Sequence, residues 1–148
     1  MNIYIGADHH GHILRQYIAD YLRELDHHVY DQSNHKLDPE DDYPIFASRV
    51  AKNILSNNDL NARGILLCGS GQGIMIAANR YKGIRACLGY NIQTVQAARN
   101  DDDCNVLVLP ADYLKQEQVK QIIDAFLNTD FIPNERYIRR IKQIDELT

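Results

Sequence analysis

Residues 64–80 read GILLCGSGQGIMIAANR: an apolar run, a cysteine, glycines at 69, 71 and 73, and a second apolar run. The first run is short and almost continuously apolar, which suits a strand covered on both faces. The second resumes after the glycines at a spacing that suits a helix. A strand that turns through glycines into a helix is half of a β–α unit, and the flanking chain repeats the alternation.

Toward the amino end, residues 3–7 form a β-rich run, and Ile13, Leu14, Tyr17, Ile18, Tyr21, Leu22 and Leu25 follow at helical spacing. A second strand is expected over 28–31. After a polar loop at 32–42, Pro44 can start a helix carrying Ala47, Val50, Ala51 and Ile54 on one face. Toward the carboxyl end, 84–88 and 105–109 read as strands, each followed by a helix, near 92–99 and 116–127. Short apolar strands alternating with helices predict a doubly wound α/β domain with a parallel, five-stranded sheet, because parallel neighbours need helical crossovers. A last helix, over 134–147, sets Ile138, Ile141, Ile144 and Leu147 along one side, to pack on the core or on a partner subunit. No repeat or flexible linker divides the chain, so 1–148 is expected to be one domain.

Composition excludes several classes. With 45% hydrophobic and 24% charged residues the chain has the balance of a globular domain rather than a disordered one. No apolar stretch approaches the roughly 20 residues that span a bilayer, and Met1 leads straight into strand-like sequence, so a cytoplasmic protein without membrane contact is expected. The net charge of −4 offers no general attraction for nucleic acid. Cys68, Cys87 and Cys104 are an odd number without C-x-x-C spacing, which argues against disulfides and zinc.

In a parallel sheet, ligands collect at the carboxyl ends of the strands, where residues 69–73 lie. Alternating glycines let backbone N–H groups turn inward, and the following helix adds partial positive charge at its start. The loop therefore suits an anion or a developing oxyanion. A dinucleotide fingerprint would need glycine at 74, a Walker A loop a Gly-Lys pair there, and a C-x5-R phosphatase loop arginine there; the residue is Ile74.

There remains a cysteine at a strand end, with a hydroxyl at Ser70. A helix amino end lowers a thiol pKa, so Cys68 is a candidate base; an inert core thiol is the other reading, and the one adopted for Cys87 and Cys104. Asp8 and His9 end the first strand on the same edge. Three histidines within four residues follow no familiar metal-ligand spacing, and no metal is expected. Arg136 and Arg140 share a helical face able to clamp a phosphate, or simply form a solvated basic face, and Tyr43 lines the pocket or packs a loop.

Over almost its whole length the chain resembles the type B ribose-5-phosphate isomerase and galactose-6-phosphate isomerase family. The resemblance rests on GADHHG, DDYP, GILLCGSGQGIMIAANRYKGIRA, DCNVLVLP and ERYIRR. It implies a Rossmann-like three-layer α/β/α sandwich, a dimer or tetramer with active sites between subunits, and no cofactor. It further implies aldose–ketose isomerisation of a sugar phosphate through an enediolate. Cys68 matches the family's base, and Ser70 with Gly69, Gly71, Gln72 and Gly73 would hold the enediolate. Asp8, His9 and Tyr43 would contact the sugar, and Arg136 and Arg140 the phosphate, reaching into the neighbour's site.

Asp101 and Asp102 fall where many members carry a histidine and an asparagine, the histidine opening the furanose ring. The resemblance thus sets Asp101 among the catalytic residues and Asp102 among those that meet the sugar. Tyr137 stands where a histidine would follow Arg136. Ribose 5-phosphate ranks first as substrate, ahead of a galactose- or allose-type hexose 6-phosphate and of a protein that binds a sugar phosphate without chemistry.

Overall fold

Five short runs become strands, four of them apolar, and each is followed by a helix. A computed structural model describes residues 1–147. In chain order it contains β1 (Asn2–Ala7), a 3₁₀ turn (His9–Gly11), α1 (His12–Glu24), β2 (His28–Asp31), α2 (Tyr43–Ser56) and β3 (Arg63–Cys68). There follow α3 (Gln72–Ala78), β4 (Ala86–Leu88), α4 (Ile92–Asp102), β5 (Val106–Pro110), α5 (Gln116–Asn128) and α6 (Glu135–Glu146). The strand order is β2-β1-β3-β5-β4 and every pairing is parallel, giving the expected three-layer α/β/α sandwich.

Side chains alternate across a strand, so each strand feeds two cores. On one face, Ile5, Ile65, Leu67, Leu107 and Leu109 meet Ile18 and Leu22 of α1 and Ile122, Ile123 and Phe126 of α5. On the other, Leu66, Cys68, Val106 and Val108 meet Phe46, Val50 and Ala51 of α2 and Ile74 and Ala78 of α3. The inner strand β5 is buried at every residue. That explains its unbroken apolar sequence.

The strand expected over 84–88 begins two residues later, at Ala86. Gly83 takes a left-handed φ of 85° and the Ile84 N–H donates to the Tyr81 carbonyl at 3.0 Å, so these residues are used by a turn. α6 contributes nothing to either core. It rests on α4, no residue of it is buried, and Ile138 and Ile144 are 51% and 45% exposed.

The start of the polar loop after β2 is tied down by charge. Buried Arg15 of α1 pairs with Asp31 at 2.9 Å and donates to the Asn34 carbonyl at 3.2 Å, while the Ser33 hydroxyl accepts from the Ala7 N–H at 2.8 Å. The loop is thereby anchored beside the end of β1.

Candidate active site

β3 delivers Cys68 to the carboxyl edge of the sheet, facing the α2–α3 layer and only 5% exposed. The chain must then reverse sharply into α3, and Gly71 makes the turn with φ of 77°, a conformation side chains with a Cβ rarely adopt. The turn aims the backbone N–H groups of Ile74 and Gly71 at the Cys68 sulfur. They pull the thiol pKa down, but burial pushes it up more strongly, and the charges of Asp8 and Asp112 add to the rise. The lowered pKa expected from the sequence is therefore corrected: two N–H groups at the start of a seven-residue helix do not outweigh desolvation and two carboxylates.

The rest of the loop is in place around the thiol. Ser70 is exposed, with its hydroxyl accepting from the Gln72 N–H at 3.4 Å. A Cβ placed on Gly73 would lie 2.5 Å from Cζ of Tyr43, so the ring of this first residue of α2 rests on the loop backbone.

β1 ends beside β3, and the Asp8 N–H donates to the Leu67 carbonyl at 3.2 Å. One Asp8 carboxylate oxygen accepts from the N–H groups of His10 and Gly11 at 3.0 and 3.3 Å, capping the 3₁₀ turn. Burial raises the Asp8 pKa, and these bonds offset part of the rise. The N–H and Nδ1 of His9 both donate to one oxygen of Asp41, at 3.0 and 2.8 Å, and this bond raises the His9 pKa.

Three participants were missed from sequence: Asp41, His10 and Asp112. Nδ1 of His10 lies 3.0 Å from Asp112, whose own N–H donates to the Gly69 carbonyl at 3.1 Å. A Cβ on Gly69 would meet Asp112 Oδ2 at 2.7 Å and the His10 ring at 3.3 Å. The pair is pressed against the glycine loop. The signal for Asp112 was available, since it follows β5 on the edge that singled out Asp8; Asp41 and His10 are revealed only by tertiary packing.

The structure does not bring Asp101, Asp102, Arg136 and Arg140 to Cys68. Cys68 pairs with Pro110 at the end of β5, whereas Asp101 and Asp102 end α4, just before β5 begins. The six residues of β3, at about 3.3 Å each, put roughly 17 Å between the two edges. The arginines belong with the aspartates, because α6 packs on α4 and the Ile132 N–H donates to the Asn100 carbonyl at 3.0 Å. Buried Arg99 fixes this end, bonding Asp103 at 2.7 Å and the carbonyls of Cys104 and Thr129 at 2.6 and 3.2 Å. Arg136 borders an open cleft of about 470 Å³. The residues singled out from sequence therefore lie at opposite edges of the sheet.

Among the described residues, no three His, Cys, Asp or Glu groups converge as a metal site requires. At the carboxyl edge the chain presents a buried thiol with a raised pKa, inward N–H groups, a carboxylate and two carboxylate-bound imidazoles. Such a set can move protons and hold a developing oxyanion.

Comparison with known proteins agrees with this chemistry. The family described as Ribose/Galactose Isomerase matches residues 3–144. A probable ribose-5-phosphate isomerase B of Mycoplasma genitalium is 38% identical over 143 residues, covering 97% of this chain and 93% of the relative. The crystal structure of ribose-5-phosphate isomerase B from that organism, with bound ribulose-5-phosphate, superposes with a TM-score of 0.93 at 37% identity over 99% of this chain and 95% of that one. A ribose 5-phosphate isomerase from Thermotoga maritima superposes with a TM-score of 0.92 at 40% identity over 98% and 97%.

Proposed function

The chain belongs to the ribose/galactose isomerase family, and on that premise we propose that it interconverts ribose 5-phosphate and ribulose 5-phosphate, residues 1–148 forming one catalytic domain. The observation that carries the reading is Cys68 at the end of β3, buried against the N–H groups of the glycine loop.

In this mechanism the Cys68 thiolate takes the proton from C2 of the open-chain aldose. The C–H electron pair becomes the C1–C2 double bond, and the carbonyl pair moves onto O1 as the enediolate. Loop N–H groups, Ser70 and the amino end of α3 hold that charge. Transfer of the O2 proton to O1 and return of the Cys68 proton to C1 complete the ketose. Raising the thiol pKa leaves fewer molecules ionised at neutral pH, but makes each thiolate a stronger base for a weakly acidic C–H. Asp8, His9 and Tyr43 line the sugar.

Phosphate recognition falls to Arg136 and Arg140, one turn apart on exposed α6. With their half-site at the far edge, a complete site takes the Cys68 edge of one copy and the α4–α6 end of another. The unburied apolar side of α6 supports such pairing. Twofold symmetry makes it reciprocal.

The test mixes two inactive variants, Cys68→Ala and Arg136→Ala, and follows ribulose 5-phosphate. Subunit exchange is expected to restore about a quarter of wild-type activity, since half the dimers are mixed and each has one intact site. Mixed dimers seen by native mass spectrometry without restored activity would refute the shared site. A parallel panel with galactose and allose 6-phosphates fixes the sugar.

A further inference from the structure

An aldose must be open before C2 gives up a proton, and ribose 5-phosphate in water is mostly a closed furanose. The aspartate that stands where the family carries its ring-opening histidine, Asp101, lies at the opposite edge of the sheet from Cys68 in the same chain. At the Cys68 edge there is an unused imidazole. His10 follows β1, its Nδ1 is 3.0 Å from Asp112, and its ring lies against Gly69, the residue after Cys68. About half of each side chain is exposed, 46% and 47%, and Asp112 occupies Nδ1, which leaves Nε2 as the nitrogen available to a sugar. A base beside the glycine loop, oriented by a carboxylate on its other nitrogen, is an arrangement that general acid–base catalysis uses.

We propose that His10, oriented by Asp112, opens the furanose ring of the sugar phosphate in the same subunit that supplies Cys68. The assignment rests on the isomerase reading above and adds a residue to it. Neutral His10 takes the proton of the C1 hydroxyl through Nε2. The O–H electron pair forms the C1=O1 bond, the C1–O4 bond breaks with its pair on O4, and the same proton passes from Nε2 to O4. The imidazole ends neutral, and the open aldehyde lies beside Cys68. The role of Asp112 is positioning: it fixes which ring nitrogen carries the proton at rest and which faces the sugar.

The test compares ribose 5-phosphate with erythrose 4-phosphate, an aldose whose phosphorylated O4 cannot close a furanose. For His10→Gln, kcat/KM on ribose 5-phosphate is expected to fall about 100-fold or more while turnover of erythrose 4-phosphate changes less than about threefold. Asp112→Asn is expected to lose about tenfold on ribose 5-phosphate, and to cost nothing further in the His10→Gln background. Unchanged ribose 5-phosphate activity in His10→Gln, or equal losses on both substrates, would overturn the assignment. Unchanged activity in His10→Gln with a selective loss in Asp101→Asn would overturn it in favour of the partner's α4 end. A folded wild type inactive on both sugars would instead overturn the isomerase reading, and this assignment with it.

Discussion

Replacing Gly71 by alanine separates two costs that the glycine loop avoids. At φ of 77° a Cβ brings backbone strain of about 1–2 kcal/mol. The new methyl would also lie 2.6 Å from Leu88 Cδ1 and 3.3 Å from Val108 Cγ1, inside a packed layer, which adds overpacking of about 1–3 kcal/mol. Together these cost about 2–5 kcal/mol. For 148 residues an unfolding entropy of about 2.1 cal/mol/K per residue converts this into a fall in Tm of about 6–16 °C. Gly83 supplies the control. Its φ is 85°, but a Cβ there would meet only Leu55 Cδ2, at 3.0 Å, the tip of an exposed side chain. Gly83→Ala should therefore show strain alone, a fall of about 3–6 °C. The assay is thermal denaturation followed by circular dichroism at one protein concentration, with isomerase activity measured well below both transitions. Gly71→Ala should lose activity there, because its N–H no longer aims at Cys68, whereas Gly83→Ala should keep it. Equal melting temperatures for the two variants would refute the packing argument.

Asp8→Asn keeps an oxygen to cap the His10 and Gly11 N–H groups but removes a buried charge. Because burial raises the Asp8 pKa, the native state prefers the neutral carboxyl, a contribution present in acid and lost as pH rises past 3.8 and through the folded value. At pH 7 the variant is thus expected to melt no lower than wild type while losing most of its activity; a clearly lower Tm would contradict this. Asp41→Asn removes the partner that raises the His9 pKa, and NMR titration should place the His9 ring closer to its ordinary 6.5. The His9–Asp41 pair stabilises fully below that value and is lost as pH rises through the folded pKa. The Tm gap between wild type and Asp41→Asn should therefore be wider at pH 6 than at pH 9, and a gap independent of pH would count against the pair. Arg99→Leu takes the shared donor from the Cys104 and Thr129 carbonyls, while Asp103 keeps Arg85 at 3.0 Å, and should cost about 1–3 kcal/mol in urea unfolding. A loss under 1 kcal/mol would show that Arg99 does not hold the α4 end.

The fold was legible because its inner parallel strands, β1, β3 and β5, are buried on both faces. β3 and β5 read as unbroken apolar runs, α1 and α2 as helical stripes, and only the turn at 81–84 shortened an expected strand, β4. Strand order was not legible, since periodicity says which residues face a core but not which strand lies beside which. Of the site, Cys68, the glycines and Asp8 could be read because strand ends mark the ligand edge, and the same rule applied to β5 finds Asp112. Asp41 could not be found this way, because its bond to His9 closes a loop whose course no local pattern fixes. The direction of the Cys68 shift escaped for a related reason: a helix start is visible in sequence, but the depth of burial and the charge of Asp112 are not. Asp101 was set among the catalytic residues by resemblance alone, and strand direction places it at the other edge of the same chain, whereas Arg140 was expected in a neighbour's site from the start.

Solvent-deuterium labelling tests the proton transfer at the centre of this account. Ribose 5-phosphate incubated with the protein in D₂O should give ribulose 5-phosphate carrying deuterium at C1, with exchange at C2 in recovered aldose, and Cys68→Ser should abolish both while remaining folded. Ribulose 5-phosphate formed at wild-type rate by folded Cys68→Ser would contradict the account, and so would folded wild-type protein that binds the sugar phosphate without exchanging either proton.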